Sequence, residues 1–231
     1  MDERCENCIV RKFNALRAMS KEELKAVSDS KVTRKLKKGE MIFDEGEKLN
    51  GVYCVRGGVS KLAKLSSNGK DQIVKLASKG EVLGDRSVIA EESSNLSATA
   101  VSDMEVCFIP KEAIVSTLHK NPDFTYEVLR HMAHDLKEAD DVIVNMSQKS
   151  VKQRIAEALL YMKNHFGEDA DGYLTLVLSR EDIANVVGTA TESCIRILSE
   201  FRKEGFIKTS GKRMAIKEEQ KLQDLVDGFS S

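Results

Sequence analysis

The sequence has no apolar run long enough to span a bilayer, and Met1-Asp2-Glu3-Arg4 is not followed by the apolar segment that heads exported chains. No membrane partner is therefore expected, and the cytoplasm is the expected compartment. A charge excess is missing too: 36 basic residues against 37 acidic ones leave a formal charge of −1. Attraction of the whole chain to a polyanion is thereby excluded, so any nucleic-acid contact must come from a local basic face. There is no Gly-rich phosphate loop, no HExxH and no nucleophile elbow, and an enzyme is not expected. Internal repeats and low-complexity tracts are absent. The five cysteines are odd in number and accompany no export signal, which argues against a disulfide framework.

What remains is 231 residues, 41% hydrophobic and 32% charged, enough for two modest cores in a soluble fold. Ser20-Lys21-Glu22-Glu23 reads as a capping box that opens a short helix. From about Val32, short apolar segments are closed in turn by Lys38-Gly39, Glu45-Gly46, Gly57-Gly58, Asn68-Gly69, Lys79-Gly80 and Gly84-Asp85. Turns at roughly ten-residue spacing predict an antiparallel roll of short strands. Asn68-Gly69, between apolar runs at 59–65 and 72–77, predicts a type I′ hairpin.

The strand region closes near Ile109-Pro110, and Asn121-Pro122-Asp123 opens a long helix. Val128, Met132, Leu136, Ala139, Ile143 and Met146 recur on it at steps of three and four. They form an uncharged, coiled-coil-like seam flanked by Arg130, Asp135, Lys137, Glu138, Asp140 and Asp141. Such a seam suits pairing with a second copy of the helix; packing on its own domain is the other reading. Beyond Ser150 the pattern predicts an amphipathic helix, a small strand at 173–178, short helices at 181–187 and 191–204, and a hairpin at 206–216. The fold class is α+β. An antiparallel β-roll of jelly-roll type occupies 1–120, a dimerisation helix 121–149, and a winged helix-turn-helix 150–231.

Residues 179–198 carry helix-turn-helix grammar. Ser179 caps the first helix, Ile183, Ala184 and Val187 form its inner face, and Gly188 permits the tight turn. The second helix is expected to bury Ile195 and Leu198. Thr191, Glu192, Ser193 and Arg196 then point outward near the end that enters the major groove of double-stranded DNA. A carboxylate at 192 can accept from cytosine N4, and a guanidinium at 196 can donate twice to guanine O6 and N7. An ordinary surface ion pair between the two is the competing reading. Between Cys194 and Lys217 lie Arg196, Arg202, Lys203, Lys208, Lys212, Arg213 and Lys217 against only Glu200 and Glu204. The hairpin that carries Lys208, Lys212 and Arg213 looks like a wing touching phosphates. Ser179, Arg180, Thr189 and Lys212 are the expected phosphate contacts.

On these residues the chain resembles the Crp/Fnr family of transcription regulators, most specifically over 180–207. Met41-Ile42-Phe43-Asp44-Glu45-Gly46-Glu47 and the run 52–59 are similar to the family's early β-roll. The resemblance implies a sensor roll and a homodimer on a palindromic operator that activates or represses through RNA polymerase. A sensor module that does not bind DNA is the alternative.

In the family's cyclic-nucleotide binders, a Gly-Glu and a later arginine hold the cyclic phosphate. Here the matching run is Gly84-Asp85-Arg86 through Ser94-Asn95-Leu96-Ser97, with Asn95 in the arginine's place and Arg86 on the opposite side, which argues against cyclic AMP. The oxygen-sensing branch holds an iron–sulfur cluster on clustered N-terminal cysteines and one from the late strand. By that resemblance Cys5, Cys8 and Cys107 are metal ligands, while the last N-terminal ligand falls on Asn14, which leaves the set incomplete. A buried strand thiol beside a surface thiol pair, or a redox or metal switch, are the other readings. Cys54 and Cys194 are expected to be packing residues. His131 and His134, at i and i+3, are expected to be solvated rather than ligands.

Overall fold

The computed structural model describes residues 4–66 and 69–228. Asn68 of the expected hairpin turn lies outside them, as do Met1, Asp2 and Glu3. The chain divides into two compact units. One is built from residues up to Leu65 with Val74–Ala139, the other from Asp140 onward with Ser66–Ile73.

The first unit begins with three short 3-10 turns, Cys5–Asn7, Ile9–Phe13 and Ala15–Ala18, that sequence periodicity does not reveal. Helix α1 (Lys21–Ser30) follows, and its expected capping box is formed: the Ser20 side chain accepts from Glu23 N while Glu23 accepts from Ser20 N. Eight strands come next: β1 (Val32–Leu36), β2 (Met41–Phe43), β3 (Gly51–Gly57), β4 (Ser60–Leu65), β5 (Asp71–Ala77), β6 (Val82–Leu83), β7 (Ser97–Ala100) and β8 (Met104–Pro110). They make two four-stranded sheets, ordered β1-β8-β3-β6 and β2-β7-β4-β5. Helix α2 (Asp85–Ala90) interrupts the strands, and α3 (Lys111–Lys120) follows β8 directly. Strands β3 and β8 are buried on both faces, with Val52 and Ile109 on one and Val55 and Val106 on the other, and these join Ala98 and Leu24 and Val27 of α1 in one core. Helix α4 (Pro122–Gln148) then runs for 27 residues.

In the second unit α5 (Val151–Phe166) starts on a Ser150/Gln153 capping box, and α6 (Arg180–Val187) on one from Ser179 and Asp182. Helix α7 (Thr191–Lys203), strands β9 (Ile207–Ser210) and β10 (Arg213–Ile216), and α8 (Glu219–Val226) complete it. The small strand expected at 173–178 is not formed. An isolated bridge, Glu168 to Leu174, and a single backbone bond from Leu174 N to Met214 O of the final hairpin stand there instead, while Leu174, Leu176 and Leu178 are buried. The closing helix α8, which buries Leu222, has a pattern too short to be read in advance.

Gly188 ends α6 in the left-handed region (φ 64°, ψ 54°), and a Cβ built there would lie 3.1 Å from Met146 Sδ. Gly188→Ala should therefore destabilise the chain by about 1–2 kcal/mol, the cost of a left-handed non-glycine residue, with Gly188→Asn less affected. Denaturant unfolding followed by circular dichroism measures it. Unchanged stability of the alanine variant would show that the turn can relax.

Candidate nucleic-acid interface and thiol cluster

Helix α7 is fixed in rotation by Cys194, Ile197, Leu198 and Phe201, all buried and spaced i, i+3, i+4, i+7. The expectation that Ile195 is buried is corrected by this phase. Ile195 is 47% exposed, because the inward stripe passes through 194 and 197, one residue before and two after the position anticipated. Glu192 and Arg196 are exposed on that outward face, and Thr191 and Ser193 are half-buried beside them. Among the described residues no ion pair joins Glu192 to Arg196, so both remain available to a ligand. Cys194 is inside, where burial pushes its thiol up to about 11, consistent with a packing role.

The basic hairpin is sorted by its partners. Lys208 and Lys212 are exposed, and Lys212 sits at the turn between β9 and β10. Arg213 is instead held by Asp169 and Asp171, with its guanidinium 4.2 Å from the Tyr173 ring centroid. Half-buried Arg180 points back at the same turn, donating to the carbonyls of Gly211 (3.4 Å) and Lys212 (3.5 Å). Arg180 thus ties the start of α6 to the hairpin. The Thr189 backbone N–H donates to Ala184 O, closing the turn between α6 and α7.

On α4 the six seam residues divide. Val128 packs against the roll core, whereas Leu129 is exposed. Leu129, Leu136 and Ile143 lie outward at seven-residue spacing, 59%, 65% and 66% exposed. Ala139 is exposed between them, and Met132 and Met146 are half-buried on the same line. The uncharged stripe therefore starts one residue later than the sequence periodicity places it. His134, Asp135 and Glu138 bring three ligand-type atoms within 4.8 Å of one another. All three are exposed, and Lys75 pairs with both carboxylates, which makes an ordinary surface ion network.

At the phosphate-cassette run, Asn95 accepts from Arg86 Nε at 3.2 Å, and Arg86 also pairs with Glu92. Lys64 donates to the Asn95 carbonyl and pairs with Glu45. Both cations beside Asn95 are thus already matched to carboxylates.

Strand β8 lies between β1 and β3, with Cys107 opposite Thr33 on one side and Cys54 on the other. The Cys107 sulfur lies 3.6 Å from the Thr33 hydroxyl, either of which can donate, and accepts from the Lys31 ammonium at 3.7 Å. Cys5 joins Cys54 and Cys107 in the buried core, and half-buried Cys8 packs against it. The N-terminal turn is pinned to α1: Cys5 N donates to Ser28 Oγ (2.7 Å), and Arg4 bridges Glu6 and Asp29. Asn14, the residue at the expected fourth ligand position, is buried and committed elsewhere. Its Nδ2 donates to Gly80 O (2.9 Å) and lies 3.5 Å from Cys54 Sγ, while its Oδ1 accepts from Leu16 N. Burial pushes the Cys54 thiol up to about 12, and neighbouring Cys107, Cys8 and Cys5 add to the rise. Sequence reasoning missed Cys54 as part of this group; its signal was the apolar run of β3 opposite the Cys107 strand. Among the described residues no three cysteine sulfurs lie within 4.8 Å of one another. A single tetrahedral ion, with thiolates about 3.8 Å apart from ~2.3 Å bonds, is not prebuilt. A larger inorganic core bridging more widely spaced sulfurs suits this donor set.

Fold and site together define a β-roll protein with a winged helix-turn-helix. Residues 33–121 match the family model of the cyclic nucleotide-binding domain, and 153–225 that of the Crp-like helix-turn-helix domain. The chain is 29% identical over 228 residues to the transcriptional activator protein Anr of Pseudomonas protegens, covering 97% of this chain and 93% of that one. It is 25% identical over 225 residues to the fumarate and nitrate reduction regulatory protein of Escherichia coli, covering 96% and 89%. The solved structure of FixK2 from Bradyrhizobium japonicum is similar with a TM-score of 0.75 and 26% identity, over 84% of this chain and 96% of that one. The chain belongs to the Crp/Fnr family of DNA-binding transcription regulators. No helix among the described residues is long and apolar enough to cross a membrane.

Proposed function

We propose that the protein is a cytoplasmic homodimer that reads a palindromic operator and controls RNA polymerase there. In this reading 1–120 is the sensor roll, 121–149 the dimer element and 150–231 the DNA-binding domain. The observation that carries it is the outward face of α7, where exposed Glu192 and Arg196 stand one turn apart with no partner between them among the described residues. Thr191, Ser193 and Ile195 share that end of the helix, and an apolar side chain such as Ile195 offers contact to a thymine methyl. Ser179, Thr189 and Lys212 are assigned to phosphates. Arg180 acts chiefly by holding the wing, whose backbone carbonyls it binds. The signal enters through the thiols Cys5, Cys8 and Cys107 rather than through cyclic AMP, since Asn95 cannot neutralise a phosphate and the adjacent cations are paired.

Arg196→Ala should cost about 1–3 kcal/mol on the specific operator and relax preference at one guanine. Lys212→Ala should instead weaken all sequences alike and reduce the salt slope by about one. Titration over operator variants at several salt concentrations separates the two; uniform losses from both variants would remove the base-reading assignment.

Dimerisation is tested on α4. Leu136→Glu and Ala139→Asp each place a carboxylate in the uncharged stripe and should raise the dimer dissociation constant at least tenfold by sedimentation equilibrium. A wild-type monomer at micromolar concentration would refute the pairing.

Cyclic AMP at millimolar concentration should leave the melting temperature unchanged, whereas a ligand at 100 times its dissociation constant stabilises by about 2.7 kcal/mol. A saturable rise would overturn the reading of the cassette.

A further inference from the structure

We infer that Cys54 is the fourth ligand of an iron–sulfur cluster whose other ligands are Cys5, Cys8 and Cys107. The inference rests on the assignment of those three thiols as the signal site and adds the residue that completes it.

The argument begins with register. In an antiparallel pair, residues directly opposite one another project from the same face of the sheet, with Cα atoms about 4.5–5.5 Å apart. Cys54 and Cys107 are such a pair, so β3 and β8 present two sulfurs side by side. The N-terminal turn brings Cys5 and Cys8, with two residues between them in a CxxC spacing, into the same core cluster as Cys54 and Cys107. Thiolates are the donors that hold iron–sulfur clusters, normally four to a cubane. The thiolates of a cubane bind different irons, so unlike those of one tetrahedral ion they need not converge within 4.8 Å of one another.

The surroundings suit ligand sulfurs. Metal-bound thiolates are commonly tuned by hydrogen bonds from a second layer of donors. Cys107 has the Thr33 hydroxyl and the Lys31 ammonium, and Cys54 has the Asn14 amide. Asn14 thereby changes meaning: it does not ligate, but donates toward the sulfur that does. On ligation each of the four thiols gives up its proton to solvent and forms one sulfur–iron bond, with no change of oxidation state at the protein.

The test is anaerobic reconstitution of the full chain with equal amounts of ferrous and ferric iron and with sulfide, which together supply the mixed-valence core without a further oxidant, followed by iron, acid-labile sulfide and zinc analysis and an absorbance spectrum. Wild type should take up about four iron and four sulfide per chain, the content of a cubane. Cys54→Ser and Cys107→Ser should each lower both contents at least fivefold, while Cys194→Ser, altered in the other unit, should match wild type. Melting of the metal-free variants checks the fold, and Cys54→Ala, which puts no hydroxyl into the core, repeats the measurement should the serine variant melt early. Full iron and sulfide in Cys54→Ser or Cys54→Ala with loss in Cys107→Ser would overturn the role of Cys54 and leave the other three ligands standing. Wild type that takes up neither iron nor zinc would remove the ligand assignment altogether. Zinc uptake without sulfide would replace the cluster by a mononuclear site.

Discussion

The rotational phase of one helix is the constraint on which the DNA-reading function depends. Successive residues of an α-helix are about 100° apart, so a change of phase by one position would turn Ile195 inward and Arg196 toward the flank. The phase is held by Cys194, Ile197, Leu198 and Phe201, each at most 4% exposed. Burial of four such side chains is worth about 1.5–3 kcal/mol apiece for the larger ones, far more than any surface pair on the same helix can contribute. The neighbouring elements are then set in order: Ala184 allows α6 close to α7, Gly188 closes the turn, and Arg180 fixes the wing by its two carbonyl contacts. Arginine and lysine in this region thus divide by role, two arginines spent on shape and two lysines left facing solvent.

The roll depends on a comparable constraint of a different kind. A strand slipped by one residue turns every side chain to the opposite face, so the pairing of β8 with both β1 and β3 decides which groups meet at Cys107. Buried Met104 and Val106 on one face of β8 and buried Ile109 on the face of Cys107 together lock that register. The sulfur face is therefore a consequence of hydrophobic packing on the same strand. Asn14 joins the two, since it caps the 3-10 turn at Ala15, bonds Gly80 O and reaches Cys54 with one buried amide.

Legibility in the sequence followed the range of the interactions involved. Capping boxes at Ser20, Ser150 and Ser179 are local hydrogen-bond patterns spanning three residues, and the first and last of these were read as helix starts with their caps. Gly188 could be read because a left-handed turn has one favoured residue. Ile195 was misplaced because an apolar residue fits either of two adjacent helix phases until the partner surface is known. The strand at 173–178 failed for a related reason: alternation shows which side is buried, not whether a first backbone bond, here Leu174 N to Met214 O, is continued into a ladder. Cys54 was legible only as an apolar-run residue. Its proximity to Cys107 is a contact across more than fifty residues of sequence, visible only once the strands are paired.

The exposed line on α4 follows from the same competition between burial and its costs. Burying Leu129, Leu136 and Ile143 on both copies of a pair gains, before costs, about 9–18 kcal/mol at ~1.5–3 kcal/mol per side chain. Association costs about 4–15 kcal/mol in lost freedom. The two ranges overlap, so the helix pair alone gives an association of modest strength, in which a single group decides the outcome. Ala139 is small enough to let two helices approach, and no carboxylate stands on the 129–132–136–139–143–146 line to oppose it. Exposed Asp140 flanks that line and exposed Asp141 lies on the far side of the helix, where their charges stay in water. Had Asp140 fallen one position earlier, on the seam, its desolvation would have cancelled much of the gain from neighbouring Leu136 and Ile143. The placement of these charges, more than the number of apolar residues, is therefore what favours a standing pair.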